Sequence, residues 1–589
     1  MLSAFRGVPA SPGIVFGTVY LLRWEVPDVR HRIVADDEID GEIARFHEAL
    51  EAARVRVNRV RRRAERRAGP EEAAIFDVQL SMLDDVELVQ GTESYIHRNI
   101  AAEKAFDLVM SEWRKNFARH SLPMVRERLG DLTDVHIRVL SLLLGLPDHD
   151  PVDVPQGAGA ILVTHDLTPS LTVQLDPRAI AAIATDAGTR TSHVAILARS
   201  LGIPAVVGLK DATTRLRGRE RAVLDGSTGT LIVDPSEAEE DAYRRRATQE
   251  ALDDAELLRL SHGDTITTDG VRVTIYANVD LPEEADIAAT SGAEGVGLMR
   301  TEFLVLGRTT MPDEEEQYRA YARVIDAFSG QPIIIRTFDI GGDKLPTGGY
   351  PVEANPFLGW RAIRMCLDEP ELFKIQLRAI LRAATHGDVR ILLPLVVSVE
   401  EVRATRVLVA EAAAELAERG VAHRDQLPLG VMIETPAAAI TADTLAGDVE
   451  FFSIGSNDLV QYTLAVDRGN VNLAERFTPL HPAVLRLIRD VVRASEAGGV
   501  QVGVCGEMAS EPLHAFALLG LGVRQLSVAP RSVPLMKRLV RGVSVGIAQE
   551  AMTAALEAGS PQRAEAELRR RLLAAFGDAA FLRDGLLAT

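Results

Sequence analysis

Apolar positions along the chain change their period twice. From Ile39 to Val60 they alternate at spacings of four and three (Ile39, Ile43, Phe46, Leu50, Ala53, Val57, Val60), which is the seam of a long amphipathic helix. The same period returns around Ile75, Val78 and Met82, then through Phe106, Val109, Trp113 and Phe117, and again through Leu132, Val135, Val139 and Leu142. These four stretches predict a helical bundle of about 110 residues. Strand-like runs flank it: residues 7–22 before, and 160–163, 179–184, 205–207 and a hairpin over 222–233 around Asp225-Gly226 after. The bundle therefore reads as an insertion into one small α/β domain.

Residues 236–260 hold eight acidic and four arginine residues and no proline, as expected of a solvated connecting helix. Beyond them strands alternate with helical segments, with strand candidates at 271–278, 294–299, 332–338, 389–396, 428–433, 449–454, 501–505 and 524–528. Eight alternations predict a (β/α)₈ barrel, with a doubly wound open sheet as the alternative.

Composition narrows the function. A 589-residue chain that is 47% hydrophobic can fill several cores, and a net charge of −19 argues against nucleic-acid binding. Cys366 and Cys505 are the only cysteines, too few for a disulfide framework or a multi-cysteine metal site. No apolar leader precedes the proline and glycine of the first 13 residues, and no apolar run is long enough to cross a bilayer. The expectation is a cytoplasmic protein without membrane insertion.

A barrel places its chemistry after its strands. Arg300-Thr301-Glu302 follow the second strand candidate, Arg336 the third, Glu434-Thr435-Pro436 the fifth, Ser456-Asn457-Asp458 the sixth and Cys505-Gly506-Glu507 the seventh. The guanidinium groups of Arg300, Arg336 and Arg468 suit a small, densely charged anion bearing phosphate and carboxylate. Glu434 and Asp458 are hard oxygen ligands suited to Mg²⁺, which binds few protein carboxylates; otherwise they balance the arginines. Cys505 is either inert packing or a proton donor. In the other half, Thr191 and Ser192 are helix-capping residues placed before Val194, Ile196, Leu197 and Leu201, so His193 falls in a first helical turn. Free N–H groups there would favour a phosphoryl group on its ring, although histidines at helix starts are more often caps.

Long motifs match a known family. They include A10-S-P-G-I-V-F-G17, T191-S-H-V-A-I-L-A-R-S-L-G-I-P-A-V-V-G208, G295-V-G-L-M-R-T-E-F-L304, I335-R-T-F-D-I-G-G-D-K344, N355-P-F-L-G-W-R-A-I-R364, E434-T-P-A-A438, F451-F-S-I-G-S-N-D-L-V-Q-Y-T-L-A-V-D-R-G-N470 and C505-G-E-M-A509. Over nearly its whole length the chain resembles the enzyme I family of the bacterial phosphoenolpyruvate-dependent sugar phosphotransferase system. The resemblance implies that His193 takes the phosphoryl group of phosphoenolpyruvate and passes it to the phosphocarrier protein HPr. It implies that Arg300, Arg336, Asn457, Asp458 and Arg468 bind phosphoenolpyruvate, with Arg361 near the anion. Glu434 and Asp458 would hold Mg²⁺, and Cys505 would protonate the enolate to pyruvate. The implied layout is a swivelling phosphohistidine α/β domain (1–33 and 148–235), an inserted HPr-binding helical subdomain (34–147), a linker helix (236–262) and a TIM barrel (263–589) that pairs into a homodimer.

Rival readings lack residues. The related dikinases need an ATP-binding domain, and the roughly 180 residues before His193 show no glycine-rich nucleotide loop. A non-catalytic phosphoenolpyruvate sensor would have lost a nucleophile, ligand or arginine, and none is missing. A nitrogen-regulatory enzyme I variant serving a different HPr-like carrier stays as the alternative reading, although that form usually carries a sensory domain ahead of A-S-P-G, here at residue 10. Departures from the family gather in the bundle, at Phe76-Asp77-Val78-Gln79, at Asp131-Leu132-Thr133-Asp134 and in an arginine run (Arg54, Arg56, Arg59, Arg61, Arg62, Arg63, Arg66, Arg67). They bear on which carrier is served.

Overall fold

The computed structural model describes residues 4–22, 24, 26–67, 75–119, 129–146, 159–167, 171, 179–188, 194, 195, 198, 202–305, 310–341, 353, 355–468 and 470–576. Its contacts divide the chain into two units, Met1–Ala251 and Leu252–Thr589.

The first unit is built on a mixed eight-stranded sheet. In chain order its strands are β1 (Ala4–Arg6), β2 (Val8–Ser11), β3 (Ile14–Leu22), β4 (Ala160–Thr164), β5 (Ile180–Thr185), β6 (Ala205–Val207), β7 (Arg221–Asp225) and β8 (Thr230–Val233), arranged β1-β8-β7-β3-β4-β5-β6-β2. The parallel centre β3-β4-β5-β6 explains the unbroken apolar runs, because such strands are covered on both faces; every residue of β4 is buried. The edge strand β1, antiparallel to β8, was not expected, since its three residues carry no period.

Between β3 and β4 the described residues form five helices, one more than the four that periodicity predicts: α1 (Ile39–Arg67), α2 (Ile75–Leu83), α3 (Val86–Ile96), α4 (Ala102–Arg119) and α5 (Leu129–Leu143). Phe46, Leu50, Ala53, Val57 and Val60 of the predicted seam are buried against Phe76, Leu88, Phe106 and Leu140, each large apolar side chain contributing about 1.5–3 kcal/mol. The extra helix, α3, buries Leu88, Thr92 and Ile96. A threonine in the middle of that stripe and Gly91 beside it hide the period, while Asp85 starts the helix by accepting hydrogen bonds from the Glu87 and Leu88 N–H groups. The acidic stretch is helical as predicted, as α6 (Glu237–Ser261).

The second unit is a closed barrel of eight parallel strands, which removes the open-sheet alternative. They are β9 (Thr274–Val279), β10 (Val296–Met299), β11 (Ile333–Arg336), β12 (Val389–Leu393), β13 (Leu429–Ile433), β14 (Phe451–Ile454), β15 (Gln501–Val504) and β16 (Gln525–Val528). Each falls on a predicted strand, with ends displaced by a few residues. Leu298, Ile334, Leu392, Met432, Phe451 and Cys505 form one cluster inside the barrel, while neighbours such as Ile333 and Ile335 pack in the larger core with the outer helices. Strand side chains alternate with period two. Hence Arg300, Arg336 and Glu434, each two residues beyond an interior member of that cluster, occupy inward positions at the carboxyl end. Among the described residues no helix is long and apolar enough to cross a membrane.

Candidate active site at the carboxyl end of the barrel

Arg336 ends β11 and is buried, with Nη2 2.5 Å from Glu302 and Nη1 3.1 Å from Asp339. Arg361 is buried too; its Nε donates to Asp339 at 3.1 Å and its Nη2 stands 4.0 Å from Asp458. Asp339 thus bridges two guanidinium groups. Burial alone would weaken the positive charge of each arginine, and the adjoining carboxylates more than reverse that effect. Both remain cationic inside the barrel mouth.

Three further arginine and amide positions are brought to the same end. Arg300, just after β10, is partly exposed and pairs with Asp280 at 2.8 Å. Arg468 lies 3.8 Å from Asp458 Oδ1 and is also partly exposed. Asn457 is spent on its neighbour: its Nδ2 donates to Glu507 Oε1 at 3.1 Å and its Oδ1 accepts from the Glu507 N–H at 3.0 Å. The Ser456-Asn457-Asp458 and Cys505-Gly506-Glu507 turns are therefore locked together. Their approach is so close that a Cβ on Gly506 would lie 2.0 Å from Ser456 Oγ.

Glu434 follows β13 and is buried, with Oε1 accepting the Leu395 N–H at 2.6 Å. Burial raises its proton affinity well above the ordinary carboxylate range, and Asp458 and Asp339 add to the effect while Arg336 opposes it. Asp458 is buried as well, and its Oδ1 has no hydrogen-bond partner. Two oxygen-donor side chains that repel each other, one with an open acceptor, fit a divalent cation. Among the described residues no group of three or more His, Cys, Asp or Glu side chains forms an all-protein metal cage.

Four buried polar atoms on these strand ends are open. Arg336 Nε, Thr337 Oγ1, Ser456 Oγ and Asp458 Oδ1 are all buried without a hydrogen-bond partner, a state that costs about 1–3 kcal/mol for each group unless something occupies it. Backbone strain gathers here too. Ala362, Leu395 and Ala465 take positive φ angles of 54°, 56° and 52°, beside Arg361, at the amide that holds Glu434, and just before Arg468. Non-glycine residues hold such angles only where the surroundings impose them.

Cys505 closes the site. It is buried, and its thiol faces the Ile454 carbonyl at 3.7 Å. Burial pushes the thiol's pKa up, against the opposing pull of Ser453 and Arg336, so it stays protonated at neutral pH.

His193, Thr191 and Ser192 lie outside the described residues, as do the side chains of Arg63, Arg66 and Arg67. Val194, Ala195 and Ala198, just beyond His193, are helical and buried. The site residues that sequence reasoning did not single out are Asp339 and Thr337; Glu302 and Ser456 stand in the turns it placed after strands, with no role given to them. Asp339 had a visible signal, the three-residue spacing from Arg336 in R-T-F-D, whereas Glu302 is recognisable only once β10 and β11 are paired.

Three family models cover most of the chain: PEP-utilising enzyme, N-terminal, over residues 6–128; PEP-utilising enzyme, mobile domain, over 156–229; and PEP-utilising enzyme, PEP-binding domain, over 254–545. A phosphoenolpyruvate-protein phosphotransferase of Staphylococcus carnosus is 40% identical over 92% of this chain and 95% of its own length. The chain belongs to the phosphoenolpyruvate-protein phosphotransferase family. A family member from Haemophilus influenzae is 41% identical over 91% of this chain and 94% of its own. A solution structure titled as enzyme I is 32% identical and covers 42% of this chain and 99% of its own, at a TM-score of 0.37. In this member of the phosphotransferase family, the model described as PEP-binding spans every barrel residue assembled above.

Proposed function

We propose that this protein transfers the phosphoryl group of phosphoenolpyruvate to His193 and then to a histidine of HPr, releasing pyruvate, as the first step of sugar uptake by the phosphotransferase system. The observation that carries the barrel's part is the pair of buried guanidinium groups, Arg336 and Arg361, kept cationic by neighbouring carboxylates, with Arg336 Nε left open, which suits an anionic ligand. Arg300, Arg336 and Arg468 grip the phosphate and carboxylate, with Asn457 and Asp458 beside them. Phosphoryl transfer depends on charge neutralisation and in-line positioning, and preorganised arginines supply both without rearranging during the reaction. Bound at Glu434 and Asp458, Mg²⁺ would neutralise charge on the phosphoryl and enolate oxygens.

In the first step an imidazole nitrogen of His193 forms a bond to phosphorus while the bond from phosphorus to the enol oxygen breaks, leaving the enolate of pyruvate. In the second, the Cys505 S–H bond breaks as a C–H bond forms at the methylene carbon, and the thiolate regains its proton from water. A thiol kept protonated by burial suits that role.

The domain boundaries follow the same reading: residues 1–33 and 148–235 carry His193, 34–147 dock the carrier, 236–262 connect, and 263–589 bind phosphoenolpyruvate and pair two copies in the cytoplasm. A groove of about 400 Å³ in the bundle, lined by Val78, Met82, Trp113 and Phe117 together with Asp85 and Glu87, offers an apolar and acidic surface for the carrier. Incubation with phosphoenolpyruvate labelled in its phosphate tests the proposal. Wild type should gain acid-labile label that HPr removes, and His193→Ala should gain none; equal labelling of the two would refute it.

A further inference from the structure

Cys505 can deliver a proton to one face of an enolate only if its backbone is held still, and the structure shows what holds it. Its N–H donates to the Ile454 carbonyl at 3.1 Å. Its carbonyl accepts from Asn278 Nδ2 at 3.1 Å, a contact from the first strand to the end of the seventh that spans the eighth between them. Asn278 is oriented in turn, because its Oδ1 accepts from Ser527 Oγ, on the eighth strand, at 2.7 Å. That acceptor role fixes which end of the amide faces Cys505. Ser527 fits because the residue beside it is glycine: a Cβ on Gly297 would lie 2.5 Å from Ser527 Oγ and 2.6 Å from its Cβ. The second glycine of G295-V-G297 thus makes room for a hydroxyl rather than for a turn.

We propose that Asn278, set by Ser527, is a positioning residue that aims the Cys505 thiol at the enolate carbon. The proposal rests on the reading of Cys505 as the proton donor. Asn278 itself need touch neither substrate nor metal. The Glu507–Asn457 bonds hold the far side of the same turn, so removing Asn278 frees the carbonyl of Cys505 while the turn stays attached. A donor that is mis-aimed by about an ångström loses up to roughly a hundredfold in rate, and it also loses its preference for one face.

The test uses phosphoenolpyruvate labelled stereospecifically, Z or E, at its methylene carbon with two hydrogen isotopes and turned over in water carrying the third, so that the chirality of the pyruvate methyl group reports the face of protonation. Asn278→Ala should slow pyruvate formation about tenfold or more and lower the chiral purity of the product, with phosphoryl label on His193 still appearing in a rapid quench. Ser527→Ala should do the same to a smaller degree, and because it only deletes a hydroxyl it guards against misfolding of the first variant. In a Cys505→Ala background, Asn278→Ala should add nothing, since coupled residues are not additive. Cys505→Ala with wild-type rate and chirality would overturn the proton-donor reading itself. Chirality lost in Cys505→Ala but intact in Asn278→Ala and Ser527→Ala would overturn the positioning role alone.

Discussion

The barrel mouth and the inserted bundle each bury a cluster of polar side chains, and the two clusters are built to opposite ends. In the barrel, Arg336, Asp339 and Arg361 at and after the end of β11 meet Asp458 after β14 beside Glu434 after β13, and Arg336 Nε and Asp458 Oδ1 are left without a hydrogen-bond partner. In the bundle, Trp24 Nε1 donates to Asp134 Oδ1 at 2.6 Å, Gln79 Nε2 donates to Asp134 Oδ2 at 3.2 Å, and the Arg138 guanidinium lies over the Trp24 ring at 5.0 Å. Those bonds run between the β3 end, α2 and α5 and tie helices to one another. Charge is concentrated in the first cluster, where a charged ligand would complete it. In the second, one carboxylate satisfies two neutral donors.

Breaking the barrel cluster should have the largest effect. Arg336→Met removes the charge facing Glu302 and Asp339 and leaves both carboxylates buried without it, a cost of about 3–5 kcal/mol. Labelling of His193 should fall by at least about a hundredfold, the usual consequence of losing a preorganised charge-stabilising donor. Denaturant melts and quench-flow labelling read the two effects. A variant that labels at the wild-type rate would show that Arg336 serves packing alone.

Next comes a pH effect confined to the bundle. His136 is buried, and loss of solvent lowers its pKa to about 4, with Arg114 adding to the effect and Asp107, 3.3 Å away, opposing it. The unfolded chain would take up the proton near the ordinary value of about 6.5. The neutral ring therefore contributes stability that is complete above that value and is lost as pH falls from about 6.5 toward 4, by about 3 kcal/mol in all. Trp24 and Trp113 fluorescence should report acid loosening of the bundle, and His136→Leu should flatten the dependence; an unchanged slope would exclude His136 as its source.

The same contrast explains what could be read from the sequence. The barrel was legible because its strands are short apolar runs and its functional residues stand two positions beyond interior ones, a rule of period and place. Arg336 and Glu434 needed no neighbour to be found. Asn278 was not legible, and Glu302 was placed after its strand but not paired with Arg336, since both contacts come from strands that meet only in the closed barrel. In the bundle, Gln79 and Asp134 looked like changes on a docking surface. Both prove fully buried, and a helical period with polar members cannot say whether a polar residue faces water or a polar partner inside. Helix α3 escaped notice for the same reason, because its central buried position is a threonine, which returns its hydroxyl to the Leu88 carbonyl at 2.8 Å.

Asp134→Ala sharpens the comparison at a smaller scale. It strands the Trp24 donor and leaves Gln79 Nε2 only Asp131 Oδ1, at 3.5 Å, which should cost about 2 kcal/mol, and the loss should appear in bundle unfolding while phosphoenolpyruvate-dependent labelling keeps its rate. Loss of labelling with the bundle intact would tie this cluster to the chemistry.

The arginine run on α1 should give the smallest effect. Arg61 meets Asp77 at 2.6 Å and Arg54 meets Glu51 and Asp84 at 2.8 and 2.6 Å, all with side chains about a third or more exposed; Arg59 and Arg62 are exposed. Exposed pairs are worth about 0–1 kcal/mol, because water screens them and two long side chains must be ordered. Arg61→Ala should therefore shift the bundle's melting by less than about 1 kcal/mol and leave transfer from phosphorylated enzyme to HPr unchanged. The informative result is the salt dependence of that transfer. A solvated face predicts the same slope in wild type and Arg61→Ala, whereas a docking strip predicts a shallower slope once one of its charges is gone.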